Sequence, residues 1–120
     1  MRGANNTAVD FDQLQAACDG DAALMRELLD LYFQQGNEIM TALGDAIERH
    51  DIAQVDHLAH KLAGSSLACG MTAVVAPLRQ LEGGAKSGHL NGAPGLFAEA
   101  SAQMERVRVC VRDYLAQLQP

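Results

Sequence analysis

The chain has 120 residues, a formal net charge of −6 and 48% apolar residues, with 4% aromatics and no Trp. That length suits a single domain with an aliphatic core. The acidic balance argues against a nucleic-acid partner or an anionic membrane surface, both of which call for a basic face. No apolar run approaches the ~20 residues that span a bilayer, so membrane insertion is not expected.

Residues 1–9 read as a disordered or vector-derived tail, and residues 10–119 as the folded domain. The first residues, Met1 to Thr7, lack the apolar stretch of a secretory signal. Phe11 to Cys18 forms a short helix with Asp10 as its N-cap. Asp19-Gly20-Asp21 makes a turn, and Asp21 caps a long second helix from Ala22 to about Arg49. Its apolar positions Met25, Leu28, Leu29, Tyr32, Ile39, Met40, Leu43 and Ile47 keep helical spacing. After a turn at His50-Asp51, a third helix covers 52–68 and stops at Gly70. A fourth runs from Thr72 to Lys86, where Pro77 implies a late start or a kink near Ala73. A glycine-rich loop spans 87–94, and a last helix runs from 95 to 118. No segment sustains the period-2 alternation of a strand. The expected fold is therefore all-α: an antiparallel up-down-up-down four-helix bundle with a short additional N-terminal helix.

The three cysteines, Cys18, Cys69 and Cys110, are widely spaced and odd in number. They read as reduced and mostly buried, as in a cytoplasmic protein. Gly83-Gly84 lacks the lysine spacing and preceding strand of a phosphate loop, and no Ser-His-Asp order or carboxylate pair suggests hydrolysis.

The most telling stretch is Ala59-His60-Lys61-Leu62-Ala63-Gly64-Ser65-Ser66. Val55, Leu58, Ala59 and Leu62 form the buried stripe of the third helix, which turns His60 to water. An exposed imidazole is a competent nucleophile near neutral pH and can take a phosphoryl group on a ring nitrogen. Lys61 lies on the flank of that face, where its ammonium can swing toward a phosphate, and Ser65 and Ser66 offer hydroxyl donors. Gly64 follows His60 by four residues on the same face. Glycine inside a helix costs about 0.5–1 kcal/mol relative to alanine. Unless core crowding requires it, its presence suggests close approach by another molecule. His57 sits one turn before His60, but no third ligand completes a metal site. His50 and His89 fall in turns and read as solvated bystanders.

This pattern resembles the histidine-containing phosphotransfer (HPt) domains of two-component phosphorelays, over about residues 10–118. The resemblance is carried by the octapeptide with Leu67 and Gly70, by Leu78 and Leu81-Glu82 downstream, and by Phe11, Leu14, Asp21, Leu28, Phe33 and Asp51 upstream. It implies a phosphorelay intermediate. His60 would accept a phosphoryl group from a receiver-domain aspartyl phosphate and pass it to another receiver aspartate. The receiver would supply the Mg²⁺ and most catalytic groups, so no cofactor of the chain's own is expected, and neither is kinase or hydrolase activity. The implied partners are response-regulator receiver domains and a hybrid sensor histidine kinase. Glu82 would accept the ring N–H and orient the imidazole. Ala53, His57, Ala63, Gly64 and Ser65, with second-helix residues near Gly36, would form the receiver docking surface. One position departs from the family: three residues after the histidine, where a lysine is usual, this chain has Ala63. Phosphate neutralisation then falls to Lys61. The alternative reading is a non-catalytic bundle that binds receivers without transfer.

Overall fold

The computed structural model describes residues 8–118 and contains five helices in this order: α1 (Phe11–Ala17), α2 (Ala22–Glu48), α3 (Ile52–Ala68), α4 (Thr72–Lys86) and α5 (Ala93–Gln117). Among the described residues there is no strand. Short connections join α2 to α3 and α3 to α4, which forces each pair to run antiparallel. α2 packs on α3, α3 on α4 and α4 on α5, and α5 returns to touch α2, closing a four-helix bundle. The expected architecture is the one observed.

Capping side chains set most helix starts. The Asp10 carboxylate accepts the Gln13 N–H, Asp21 accepts those of Ala23 and Leu24, and Asp51 accepts that of Gln54. The expected bounds of α4, Thr72 to Lys86, are the observed ones, whereas the start of α5 differs from the sequence reading. α4 starts at Thr72 despite Pro77, so the late start is not observed. Pro77 sits in the second turn, where its missing N–H forfeits one intrahelical bond, and its ring is buried among the apolar residues of the helix. α5 begins at Ala93 rather than at 95, because Pro94 falls in the first turn, where no N–H partner is needed. Gly92, at φ 73°, provides the left-handed N-cap that a side chain would strain.

The core is aliphatic, as the composition implies. Leu14, Met25, Leu29, Leu43, Leu62, Met71 and Leu78 are its largest fully buried members. Ala8 and Val9 are also buried, so the tail ends before them: they lie in the core rather than forming its last two residues. Residues 1–7 and the domain's expected last residue, 119, fall outside the described residues. Cys18 and Cys69 are buried and Cys110 half-buried, all as free thiols. Burial pushes both buried thiols above their ordinary pKa, helped by Asp21 at Cys18 and by Cys18 at Cys69.

α1 closes one end of the bundle. The Asp10 N–H donates to the Gly70 carbonyl at 2.7 Å, and the Gln13 amide reaches the Leu67 carbonyl at 2.8 Å. The Phe11 ring stacks on Tyr114 with centroids 4.1 Å apart. Gly70 has φ 80°, and a Cβ there would meet the Asp10 carbonyl oxygen at 2.6 Å. The helix stop foreseen at Gly70 is thus also where the turn after α3 meets Asp10, the N-cap of α1.

Candidate functional site

α3 presents its exposed face between the ends of the bundle. Measured around the helix axis from His60 at ~100° per residue, Gly64, Ala53 and His57 lie within about 60° on one side and Leu67 about 20° on the other. Lys61 lies roughly 100° away on the first side, and Asp56 and Ala63 about 40–60° away on the second. Lys86 of α4 bridges to Asp56 at 3.1 Å, which identifies that second side as the one facing α4.

His60 is held there by one strong contact. Its Nδ1 lies 2.7 Å from Glu82 Oε2, with 65% of the histidine side chain exposed and only 9% of the glutamate's. Burial pushes the Glu82 carboxyl up, but hydrogen bonds from Arg79 and His60, reinforced by their charges, outweigh it and leave the pKa below its ordinary value. An ionised carboxylate has no proton to give, so His60 must donate Nδ1–H. That tautomer leaves the Nε2 lone pair free. Arg79 Nη1 donates to the other glutamate oxygen, Oε1, at 2.9 Å, and Lys86 Nζ stands 3.8 Å from Oε2. The expected pairing of Glu82 with the ring is therefore present, on a carboxylate shared with two cations.

Gly64 is exposed, and a Cβ built on it would meet nothing within 4 Å. Core crowding therefore does not account for it. The contrast lies in α2, where a Cβ on Gly36 would come within 3.1 Å of Met104 and one on Gly44 within 3.0 Å of Phe97. Those two glycines serve internal packing. Gly36 is buried and so is no part of a docking surface.

The other residues expected to face a receiver divide. Ala53 and His57 are exposed on the His60 face. Ala63 is not: it is fully buried, on the flank of α3 that α4 covers. Its small side chain lets α4 pack against that flank, and a docking role for it is excluded. Ser65 is half-buried about 140° around the helix from His60, and its hydroxyl is spent on the Lys61 carbonyl at 3.1 Å. Ser66 is buried, 2.6 Å from the Tyr32 hydroxyl, and cannot reach a surface phosphate. Lys61 is exposed and makes no ion pair among the described residues.

Three contributors went unforeseen. Leu67 is 47% exposed and falls seven residues after His60 on the same face, a spacing that could have flagged it. Arg79 precedes Glu82 by three residues, the spacing of a helical ion pair. The Lys86–Asp56 bridge joins residues thirty apart in sequence, and no local signal announces it. Among the described residues no group of three or more His, Cys, Asp or Glu side chains gathers as metal ligands, and no helix is long and apolar enough to cross a membrane. A groove of about 840 Å³ opens elsewhere, between the C-terminal half of α2 and the start of α5; Gly44 and Phe97 line it, but neither His60 nor Glu82 does.

The Hpt domain family model matches residues 27–119. The chain belongs to the Hpt family, whose members serve as phosphotransfer intermediates in two-component phosphorelays. Its fold is that of histidine-containing phosphotransfer protein B from Pseudomonas aeruginosa PAO1. The two are 22% identical over 93% of this chain and 97% of that one, with a TM-score of 0.85. No curated protein sequence matches the chain.

Proposed function

We propose that His60 is the residue that carries the phosphoryl group, with Nε2 as the bonding atom. The observation that carries this reading is the His60–Glu82 contact: a ring fixed at Nδ1 by a buried carboxylate and otherwise open to solvent. In the transfer, the Nε2 lone pair attacks the phosphorus of a receiver aspartyl phosphate. An N–P bond forms, the P–O bond to the aspartate breaks, and the aspartate leaves as a carboxylate. The ring keeps its Nδ1 proton and becomes cationic, and Glu82 lies where it offsets that positive charge. The reverse reaction delivers the group to a second receiver aspartate.

The chain's own part is to present and orient the nucleophile. Lys61, whose ammonium makes no ion pair among the described residues and which lies on the flank away from α4, is assigned to neutralise the phosphate. The family's usual lysine position is the buried Ala63, so that flank offers no cation of its own. Ala53, His57, Gly64 and Leu67 form the surface on which a receiver docks, with Gly64 admitting the receiver's edge to the ring. The partners are receiver domains and a hybrid sensor histidine kinase, and Mg²⁺ is assigned to the receiver.

Mixing the protein with a phosphorylated receiver and Mg²⁺ tests this directly. Wild type should gain an acid-labile, base-stable label, and His60→Gln should gain none while keeping its helical circular dichroism. Label persisting in His60→Gln would remove His60 from the role. Receiver binding without label in the wild type, across several cognate receivers, would favour a bundle that binds without transfer.

A further inference from the structure

Glu82 divides its two oxygens between two donors on different helices. Oε2 accepts from His60 Nδ1 of α3 at 2.7 Å, and Oε1 accepts from Arg79 Nη1 of α4 at 2.9 Å. A carboxylate bound at one oxygen only can still rotate about its terminal torsion, which has a broad, soft profile. Bound at both, it is fixed. A competitor is close by, since Lys86 Nζ stands 3.8 Å from the same Oε2 that holds the histidine. Lys86 is itself drawn away by Asp56 at 3.1 Å.

We infer that Arg79 is a positioning residue for phosphotransfer: by anchoring Glu82 Oε1 it keeps Oε2 on His60 Nδ1, and so keeps the reactive lone pair on Nε2. This inference rests on the assignment of His60 as acceptor. Arg79 acts through Glu82, to which it is hydrogen-bonded, and its side chain is 40% exposed, so it is not a core element whose loss would unfold the domain.

The electrostatics point the same way. Burial drives the Glu82 carboxyl toward its neutral form, and the Arg79 hydrogen bond is the largest of the effects that oppose it. A protonated Glu82 would become a donor at one oxygen, and the Nδ1–H tautomer would lose its advantage. The charged and titratable groups around the carboxylate are His60, with Asp56 behind Lys86, from α3, and Arg79 and Lys86 from α4. His57 and Lys61 lie on the far side of the α3 face.

The test pairs a spectroscopic readout with a mutant cycle. Long-range ¹⁵N–¹H correlation spectra of the ¹⁵N-labelled full chain report which nitrogen of His60 carries the proton. Wild type should show Nδ1–H as the main neutral form, and Arg79→Met should shift the population toward Nε2–H. Initial transfer rates from a phosphorylated receiver should fall roughly tenfold in Arg79→Met, the scale on which partners of a functional imidazole act. In a Glu82→Gln background the same substitution should cost nothing further, because the group it acts through is gone. An unchanged tautomer ratio in Arg79→Met would overturn the inference. So would an equal loss of rate in both backgrounds, which would mean that Arg79 meets the phosphate or the receiver directly. Failure of the underlying assignment has a different signature: wild type would take no label on His60, while the tautomer measurement would still report on the Arg79–Glu82–His60 chain.

Discussion

α3 carries two short polar contacts of nearly equal length, and they serve opposite ends. Ser66 meets the Tyr32 hydroxyl of α2 at 2.6 Å inside the core, with Ser66 fully buried. His60 meets Glu82 of α4 at 2.7 Å with most of its ring in water. The first is closed, with both partners enclosed by protein. Burial, tempered by the Ser66 bond, pushes the Tyr32 hydroxyl up to about 12, so it stays neutral at any physiological pH. The second is open: the carboxylate is sheltered but the nucleophile is not. Distance alone does not separate a structural contact from a functional one. What separates them is whether one member keeps an unsatisfied, reachable atom.

Substitutions that read stability and transfer separately put this contrast at risk. After His60 itself, the largest effect on transfer is expected at Gly64. Gly64→Leu should lower the phosphotransfer rate at least tenfold, about 1.4 kcal/mol, by blocking the receiver's approach while leaving the fold intact. Gly64→Ala should raise stability by about 0.5–1 kcal/mol, since a helical glycine becomes alanine in open space. Kinetics of Gly64→Leu indistinguishable from wild type would mean that the glycine clears no path.

At the closed contact, Tyr32→Phe leaves the Ser66 hydroxyl buried without its partner and should cost about 1–3 kcal/mol in urea unfolding. Transfer measured well below the unfolding midpoint should not change. A large loss of transfer with little loss of stability would erase the distinction between the two contacts.

The subtlest effect is in pH. Glu82 binds its proton less tightly in the folded chain than in the unfolded one, because its partners favour the charged form. Its contribution to stability is therefore present above the ordinary glutamate range and is lost as pH falls through the depressed folded value. The stability difference between wild type and Glu82→Gln should accordingly hold at neutral pH and narrow on acidification. A difference that widened toward low pH would reverse the sign assigned to this carboxylate.

Much of this was legible in residue order. The 3-4 spacing of apolar residues and the caps Asp10, Asp21 and Asp51 define the helices, and short connections leave little choice but a bundle. His60 and Gly64 stand out because their facing follows from helical geometry. The misreadings have a common origin: a helix has two flanks, and only a neighbour decides which is covered. Ala63 lies as near to His60 in angle as His57 does, yet α4 buries one and leaves the other free. Pro94 reads as a loop residue until it is placed in a first helical turn, and Ala8 and Val9 read as tail until α1 is seen closing the bundle end. Arg79 and Lys86 needed the α3–α4 packing before they became part of anything.

The exposure of the His60 ring has a consequence for time as well as for access. A phosphoryl group on Nε2 would stand in solvent, with no lid or wall among the described residues to exclude water from it. The domain would then have no means of its own to prolong the life of its cargo. How long a signal waits between two receivers would be set by the intrinsic hydrolysis of the N–P bond and by the abundance of the next acceptor, so the timing belongs to the circuit rather than to the carrier.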